Sequence, residues 1–321
     1  MELFCRRAKA VILLWGIWRD SPIARVHDAL VRQGHHPRFL DQRTSTGASA
    51  EMCVGRDLVT VVRTDEGVVD LRTVTATYLR PYDPGRLPAV RRAGPDSQTS
   101  RRALLLEDLL SSWAELTGAL VINKPSANTP NASKPFQSRQ LRDIGFCVPD
   151  TIITTDPEAV IKFRERHRRI VYKSISSIRS IVTELTDQQL PRLGDICWCP
   201  TQFQELVPGT DYRVHVVGDE IFASEISSAA IDYRYSGRQG SDMTIRAASI
   251  PDEIARRCAV ASRRMGLAVS GVDLRCTPDG KWYCFEVNPS PAFTFYQDAT
   301  GQHIDEAVAR LLISGSALGQ G

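Results

Sequence analysis

The sequence predicts a mixed protein, α/β in its first part and α+β in the rest, divided into two or three lobes. Its 321 residues are enough to form more than one core. An apolar strand at residues 10–15, a helix at 21–33 and a strand at 35–40 predict a β-α-β opening, which is typical of a parallel sheet. Residues 211–225 and 271–287 each predict an antiparallel hairpin.

Composition excludes several classes of protein. Hydrophobic residues make up 42% of the chain, and 40 basic against 37 acidic residues leave a net charge of +3. This near balance gives no case for nucleic acid as the main partner. Eight cysteines without paired spacing favour reduced thiols in a cytoplasmic protein over a disulfide framework. No apolar run reaches transmembrane length, so no membrane partner is expected.

The first lobe is expected to end near residue 90. Three short strands are predicted between residues 55 and 80, followed by an exposed connection at 81–100, which is rich in Pro, Gly, Arg and Ser. A helix is predicted at 103–119. Its inward face is assigned to four leucines: Leu104, Leu105, Leu109 and Leu116.

The next stretch predicts a short basic helix at 134–145, a strand at 148–154, a helix at 157–167 and a strand at 169–173. Lys173 ends that last apolar strand and precedes a loop rich in serine. A lysine in this position can meet a phosphate as a point charge, with loop hydroxyls and amides adding hydrogen bonds. A solvated loop lysine is the competing interpretation.

A strand at 200–209 ends in a Pro-Gly turn, where exposed backbone groups could read the edge of an adenine. Glu205 or Asp211 could then hold ribose hydroxyls. In the hairpin that follows, Asp211, Arg213 and His215 alternate onto one polar face. Residues 226–249 are expected to form a polar loop, and helices are expected at 251–265 and 303–312.

The hairpin at 271–287 carries the residues that bear most directly on chemistry. Pro278-Asp279-Gly280 is strong turn chemistry between two β-prone runs. Glu286 and Asn288 lie two residues apart and share a face, and strand pairing can place Asp273 beside them. Two carboxylates and an amide oxygen suit Mg²⁺ that shares its other positions with water and phosphate. A solvated strand face is the alternative interpretation.

Taken in order, these motifs resemble the ATP-grasp superfamily, particularly its ribosomal-protein glutamate ligase branch and the ligases that crosslink microviridin-type peptides, or graspetides. The resemblance implies an ATP-grasp fold with a pre-ATP-grasp α/β lobe at residues 1–100 and an ATP-grasp domain at 101–321. ATP would lie between two α+β subdomains, a smaller one at about 140–205 and a larger one at about 206–315.

The resemblance also implies a role for each motif residue. It implies that the nucleotide is bound by Lys134, Lys173, Gln204, Glu205, Leu206, Val207 and Asp211. It implies that two magnesium ions, or manganese instead, are held by Asp273, Glu286 and Asn288. The γ-phosphate or acyl-phosphate is implied to meet two arginines, Arg213 and Arg234.

Two features depart from the family pattern. The loop after Lys173 has no glycine, although this loop is often glycine-rich in the superfamily. Gly271 stands where the D-alanyl-D-alanine ligase branch has an arginine. A replacement for that arginine is therefore expected from Arg234, Arg246 or Arg275.

The function implied is an ATP-dependent carboxylate ligase, which activates a substrate carboxylate as an acyl-phosphate for attack by an amine or a hydroxyl. The expected substrate bears a carboxylate and is either a ribosomal precursor peptide or an amino acid. A small-molecule kinase on the same fold and a non-catalytic nucleotide-binding subunit are the alternatives. A homodimer is left open.

Overall fold

The computed structural model describes residues 11–44, 46–129, 133–174, 182–228 and 243–318. Within these ranges the strands form four sheets. The strands are β1 (Val11–Gly16), β2 (Arg38–Asp41), β3 (Ser49–Val54), β4 (Leu58–Thr64), β5 (Gly67–Asp70), β6 (Val74–Leu79), β7 (Leu120–Ile122), β8 (Thr151–Thr154), β9 (Ile170–Ser174), β10 (Thr183–Glu184), β11 (Thr201–Glu205), β12 (Thr210–Val217), β13 (Glu220–Ser228), β14 (Met243–Ala248), β15 (Val269–Cys276) and β16 (Trp282–Asn288).

The α-helices lie between and after these strands. They are α1 (Ser21–Arg32), α2 (Pro88–Ala93), α3 (Gln98–Leu116), α4 (Lys134–Ile144), α5 (Pro157–His167), α6 (Asp252–Arg264), α7 (Thr294–Thr300) and α8 (Ile304–Leu318). In the described ranges, none of the helices combines the length and the apolar character needed to cross a membrane.

The chain opens with the predicted β-α-β unit, which is confirmed. Strands β2, β1, β6 and β7 lie side by side in that order, and each neighbouring pair is parallel. Helix α1 connects β1 to β2 and buries Ile23, Val26 and Leu30 against the sheet. Because the strands are parallel, the ends of β1, β2 and β6 reach the same edge of the sheet, where loops can build a site.

The predicted inward face of helix α3 is wrong. Leu105 is 66% exposed and Leu104 and Leu116 are also exposed, whereas Leu106, Leu110 and Trp113 are buried against the first sheet. Both sets of side chains follow helical spacing and differ by a rotation of one residue about the axis. Burial of the large Trp113 ring outweighs the exposure of the leucine stripe on the other side.

Two further expectations for the first lobe need correction. Strand β3 lies before the range of 55–80 in which three strands were predicted, and it pairs antiparallel with β4 in a three-stranded sheet. The connection at 81–100 is not fully exposed, since α2 lies within it and buries Val90. Pro88 at the first turn of α2 is compatible with a helix start, because its missing N–H has no intrahelical partner there.

A smaller antiparallel sheet, in the order β10-β9-β11-β8, follows in the chain. Helix α5 covers one of its faces, where Val160, Ile170 and Phe203 form a core. The other face carries Lys173 on β9 and two buried glutamines on β11, Gln202 and Gln204. The sequence therefore gives this sheet one apolar and one polar face.

The largest sheet is antiparallel, in the order β14-β13-β12-β15-β16. Val214, Val272 and Val287 pack on α6 from one face, and the predicted alternation of Arg213 and His215 onto the opposite face is confirmed. The loop predicted at 226–249 is wrong at both ends, since β13 continues to Ser228 and pairs with β14 at 243–248. Residues 229–242 lie outside the described ranges.

The last helix joins the first and the largest sheets. Ile304, Val308 and Leu312 of α8 share one core with Leu14 of β1 and with Val217 and Val269 of the largest sheet. The edge of the first sheet at which β1, β2 and β6 end, called its polar edge below, is therefore held beside the end of β16. The division of the chain at residue 100 stays a prediction.

Candidate active site

The predicted hairpin is confirmed and places two carboxylates side by side. Asp273 on β15 is the direct cross-strand partner of Glu286 on β16, and Asn288 lies two residues further along, opposite Gly271. The pairing register shifts after Asp273, because Phe285 is an extra residue on β16. The turn includes Gly280, whose positive φ of 81° suits glycine. The three residues predicted to bind metal thus lie at one end of one hairpin.

Arg213 brings a buried positive charge to this carboxylate pair. It lies on β12 directly across from Asp273, is 6% exposed, and its Nη1 donates to Asp273 Oδ1 at 2.6 Å. Its guanidinium carbon also lies 5.8 Å from the centre of the Tyr296 ring. A charge-assisted hydrogen bond and an aromatic neighbour therefore fix the guanidinium.

Gly271 makes room for that guanidinium. A Cβ atom at this position would lie 2.1 Å from Nη2 of Arg213, so a side chain cannot be added without moving the arginine. Arg213 thus fills the space beside Gly271. The expectation that one of three other arginines replaces the arginine absent at position 271 stays a prediction. Of those, Arg246 pairs with Glu225 at 2.6 Å and Arg275 pairs with Asp211 at 2.7 Å. Arg234 lies outside the described residues.

A second cation approaches from the opposite side. Lys134, the first residue of α4, donates from Nζ to Glu286 Oε2 at 3.2 Å. The order across the site is therefore Arg213, Asp273, Glu286, Lys134, with a positive group at each end of a carboxylate pair. The side chains of Asp273 and Glu286 are 17% and 18% exposed, so their charges interact with less screening than at an open surface.

The donor set fits a hard divalent cation. Among the described residues, no three His, Cys, Asp or Glu side chains cluster as metal ligands do, and the predicted set has only two carboxylates and one amide. A cation held there would complete its coordination with water and phosphate oxygens, as Mg²⁺ does beside nucleotides. The amide oxygen of Asn288 accepts from the Ser290 N–H at 2.9 Å, which orients the side chain. The metal-ligand role of these residues stays a prediction.

The polar face of the smaller sheet carries the predicted phosphate lysine. Lys173 is 9% exposed and donates from Nζ to Gln204 Oε1 at 3.5 Å. Gln204 in turn donates to the hydroxyl of Thr151 at 3.1 Å. Lys173 is thus held at the end of β9, immediately before Ser174. The glycine-free loop at 175–181 lies outside the described residues.

The segment predicted to meet adenine is anchored on both sides. The N–H groups of Glu205 and Leu206 donate to the carbonyls of Asp150 and Arg169, each at 3.0 Å. The Val207 carbonyl accepts from Arg275 at 2.8 Å. The segment therefore joins the smaller sheet to β15, the strand that carries Asp273.

Both carboxylates considered for ribose already have partners. The Glu205 carboxylate accepts from the Asp150 N–H at 3.0 Å and lies 3.5 Å from Nδ1 of His167. Asp211 receives Nε and Nη2 of Arg275 at 2.7 and 2.8 Å. A ribose would have to share these oxygens with the existing donors, so the ribose role of either residue stays a prediction.

Sequence reasoning missed two amides that hold the site together. The amide of Gln137 in α4 bonds to both backbone groups of Val287, the residue between Glu286 and Asn288. The amide of Asn123 donates to the carbonyls of Val269 and Pro289, each at 2.6 Å, and its oxygen accepts from Ala268 and Val269. Both side chains are buried. Neither residue belongs to a recognisable motif, since each acts on a strand that is distant in sequence.

Arg80 is a third missed residue, at the polar edge of the first sheet. Its Nη1 donates to Ser290 Oγ at 2.9 Å and to the Pro291 carbonyl at 3.1 Å. Its Nε pairs with Asp20, which follows β1. The first lobe thereby contacts the segment immediately after Asn288. Position could have indicated this residue, because Arg80 follows the end of a parallel strand.

Residues 147–312, more than half of the chain, match the RimK-like ATP-grasp domain. The chain belongs to the RimK-like ATP-grasp family. A probable alpha-L-glutamate ligase from Marinobacter nauticus is 32% identical over 104 residues. That match spans 32% of this chain and 34% of the relative, so the chain aligns with about a third of the relative's length.

Solved structures extend the likeness to nearly the whole chain. The ATP-grasp ligase PsnB, complexed with a phosphomimetic variant of its minimal precursor, Mg and ADP, superposes with a TM-score of 0.79 at 27% identity, over 96% of this chain and 99% of PsnB. The macrocyclase MdnC from Microcystis aeruginosa, bound with the precursor peptide MdnA, gives a TM-score of 0.79 at 23% identity, over 95% and 99%. The second likeness shows the fold alone. The predicted ATP-grasp fold is confirmed.

Proposed function

We propose that this RimK-like protein is an ATP-dependent carboxylate ligase that acts on a peptide. The observation that carries the proposal is the row Arg213, Asp273, Glu286, Lys134, in which two cations flank a half-buried carboxylate pair. A site of this kind suits the transfer of a phosphoryl group, whose charge is stabilised by fixed cations and a divalent metal. Phosphoryl transfer at such a site needs no nucleophile from the protein.

In the proposed reaction, an oxygen of the substrate carboxylate attacks the γ-phosphorus of ATP and the bond to the β-phosphate oxygen breaks. The products of this step are ADP and an acyl-phosphate. An amine or hydroxyl then attacks the acyl carbon and loses its proton, and inorganic phosphate leaves. The new bond is an amide or an ester.

The chain's own residues provide positioning and charge for these steps. Asp273, Glu286 and Asn288 would hold magnesium, which when bound neutralises phosphate charge. Arg213 is fixed by Asp273 and Tyr296 and directs a permanent positive charge at the site. Lys134 and Lys173 belong to two different elements, so together they can contact phosphate oxygens from two sides. Arg234 completes the proposed set of phosphate contacts.

A peptide is the proposed carboxylate donor because of what the similar proteins bind. PsnB was solved with a minimal precursor, Mg and ADP, and MdnC was solved with the precursor peptide MdnA. The relative from Marinobacter nauticus is named a glutamate ligase. ATP, magnesium and a carboxylate-bearing peptide are therefore the proposed ligands of this chain. A cytoplasmic location and a homodimer stay predictions.

Trapping with hydroxylamine tests the proposal. Incubation with ATP, magnesium and an Asp- or Glu-containing peptide should release ADP and, with hydroxylamine present, form a peptide hydroxamate. Glu286→Gln should reduce both signals to background. Glu220→Gln is the control. Glu220 lies on the same sheet as Glu286 and forms an exposed ion pair with Arg310, so its replacement should keep both signals.

The two alternatives give different results in the same experiment. A kinase that phosphorylates a hydroxyl would release ADP without any hydroxamate, because it forms no acyl-phosphate. A non-catalytic nucleotide-binding subunit would release no ADP above background. Either outcome with well-folded wild-type protein and a range of acidic peptides would overturn the proposed ligase.

A further inference from the structure

Arg275 connects the segment proposed to bind the base with the strand proposed to bind the metal. Its Nε and Nη2 donate to the two Asp211 oxygens at 2.7 and 2.8 Å, and its Nη1 donates to the Val207 carbonyl at 2.8 Å. The guanidinium also lies 5.3 Å from the centre of the Phe285 ring. With its side chain 16% exposed, Arg275 is held by contacts with three separate parts of the chain.

Gly209 brings the same segment close to β15. A Cβ atom at Gly209 would lie 2.2 Å from the Cys276 carbonyl oxygen, and its φ of 144° also disfavours other residues. The turn after Val207 is therefore packed directly on the residue that follows Arg275. Arg275 and Gly209 together set where residues 205–207 stand relative to Asp273.

The backbone of residues 205–207 offers a restricted pattern of hydrogen-bond groups. The N–H groups of Glu205 and Leu206 donate to the carbonyls of the residues just before β8 and β9. In the part of the chain that the structure describes, the Val207 N–H donates to no other group. Because Pro208 follows, the next peptide unit has a carbonyl and no N–H, and Arg275 already occupies that carbonyl. A base edge at this segment therefore meets an N–H donor.

We infer that Arg275 is a positioning residue that sets the base specificity of the nucleotide site. An N–H donor at Val207 matches adenine, whose N1 is an acceptor, and opposes guanine, whose N1 carries a hydrogen. By donating to the Val207 carbonyl, Arg275 takes one of its two acceptor positions and places a positive charge beside it, which disfavours the approach of the guanine N1–H donor. The inference rests on the proposed function in one respect, namely that residues 205–207 meet the base.

Nucleotide binding without any peptide substrate tests this inference. Calorimetry should show that Arg275→Lys, which cannot make the bidentate pair and reach Val207 together, weakens ADP binding about tenfold. The Val207 carbonyl, released from Arg275, should accept a hydrogen bond from guanine N1–H. The ratio of the GDP to the ADP dissociation constant should therefore fall about tenfold or more. In turnover assays the change should appear in KM for ATP, with kcat retained.

Arg310→Lys is the matched control. Arg310 also makes a bidentate pair with a glutamate of the largest sheet, Glu220, but lies on α8, and within the described ranges it has no hydrogen bond to residues 205–207. Arg310→Lys should leave the dissociation constants for ADP and GDP at wild-type values. An unchanged GDP to ADP ratio in folded Arg275→Lys, or a fall in kcat at constant KM, would overturn the inference.

Wild-type protein supplies a second measurement that does not depend on the folding of a variant. A 1-deaza analogue of ADP replaces the acceptor N1 with a C–H group and should bind about tenfold more weakly than ADP. Equal binding of the two would contradict the assigned role of the Val207 N–H. If wild-type protein binds no adenine nucleotide at all, the proposed function fails, which is a different result from a failure of the specificity inference alone.

Discussion

Gln137 and Val287 are joined by two hydrogen bonds in which a side-chain amide takes the place of a neighbouring strand. Gln137 Nε2 donates to the Val287 carbonyl and Gln137 Oε1 accepts from the Val287 N–H, each at 2.9 Å. Val287 separates Glu286 from Asn288, so this pair fixes the backbone between two proposed metal ligands. Helix α4 thereby holds β16 in place at the site.

Gln137→Leu should destabilise the protein and lower its activity. The substitution leaves a buried N–H and a buried carbonyl without partners, which should lower the free energy of unfolding by about 3 kcal/mol. Urea unfolding and peptide-dependent ADP release measure the two effects. Gln140→Leu, in the same helix, removes an amide whose Oε1 has no partner among the described residues and should cost less than about 1 kcal/mol. Equal losses in the two variants would show that the Val287 bonds contribute nothing specific.

Gly271→Ala should lower activity far more than stability. The added methyl group would lie 2.1 Å from Arg213 Nη2 and would push the guanidinium away from Asp273. A displacement of about 1 Å at a reacting group should reduce kcat about 100-fold. Gly118→Ala places the same methyl group where no atom lies within 4 Å and should retain wild-type kcat. Steady-state ADP release measures the activity of both variants. Full activity in Gly271→Ala would refute the role given to Arg213.

The hairpin and its acidic residues were predictable because local rules determine them. A Pro-Asp-Gly turn between alternating strands fixes which residues pair, and the period of two then places Asp273 beside Glu286. The two faces of β12 follow from the same alternation. The family resemblance supplied what the pairing alone did not, namely the expected nucleotide and metal.

Other features depend on tertiary contacts that the sequence does not state. The inward face of α3 could not be chosen from spacing, because Leu105 and Leu106 belong to two equally regular stripes. Arg213 was expected to contact phosphate, but its place beside Gly271 required the strand order β12-β15. Gln137 and Asn123 act on backbone groups more than 140 residues away, a relationship that has no local signature.

His215 should make stability depend on pH in the acidic range. Burial, followed by the nearby Arg213 charge, holds the pKa of His215 well below 6.5, and neither ring nitrogen has a partner among the described residues. In the unfolded chain the ring takes up a proton as the pH falls through 6.5, whereas in the folded protein it stays neutral. The contribution of neutral His215 to the free energy of unfolding is therefore fully present above pH 6.5 and is lost below it. At pH 5.5 the loss is about 1.4 kcal/mol.

Comparison of His215→Met with His36→Met isolates this contribution. Urea unfolding at pH 7.5 and 5.5 should show a smaller loss in His215→Met than in wild type, by about 1.4 kcal/mol. His36 is exposed and its replacement should leave the wild-type pH dependence unchanged. Identical pH dependence in both variants would mean that His215 becomes protonated in the folded state.

Arg80→Lys should raise the magnesium concentration needed for activity. Arg80 bonds to Ser290 and to the Pro291 carbonyl, and the Ser290 N–H in turn orients the Asn288 amide oxygen. Lysine keeps the charge but cannot hold Asp20 and both of these groups at once. Loss of a residue that orients a metal ligand typically weakens metal affinity, here by about tenfold.

Arg86→Lys, in an exposed pair with Asp83 in the same lobe, is the control and should keep the wild-type magnesium dependence. Titration of peptide-dependent ADP release with magnesium distinguishes the two variants, because a general loss of folding would lower the maximum rate without moving the midpoint.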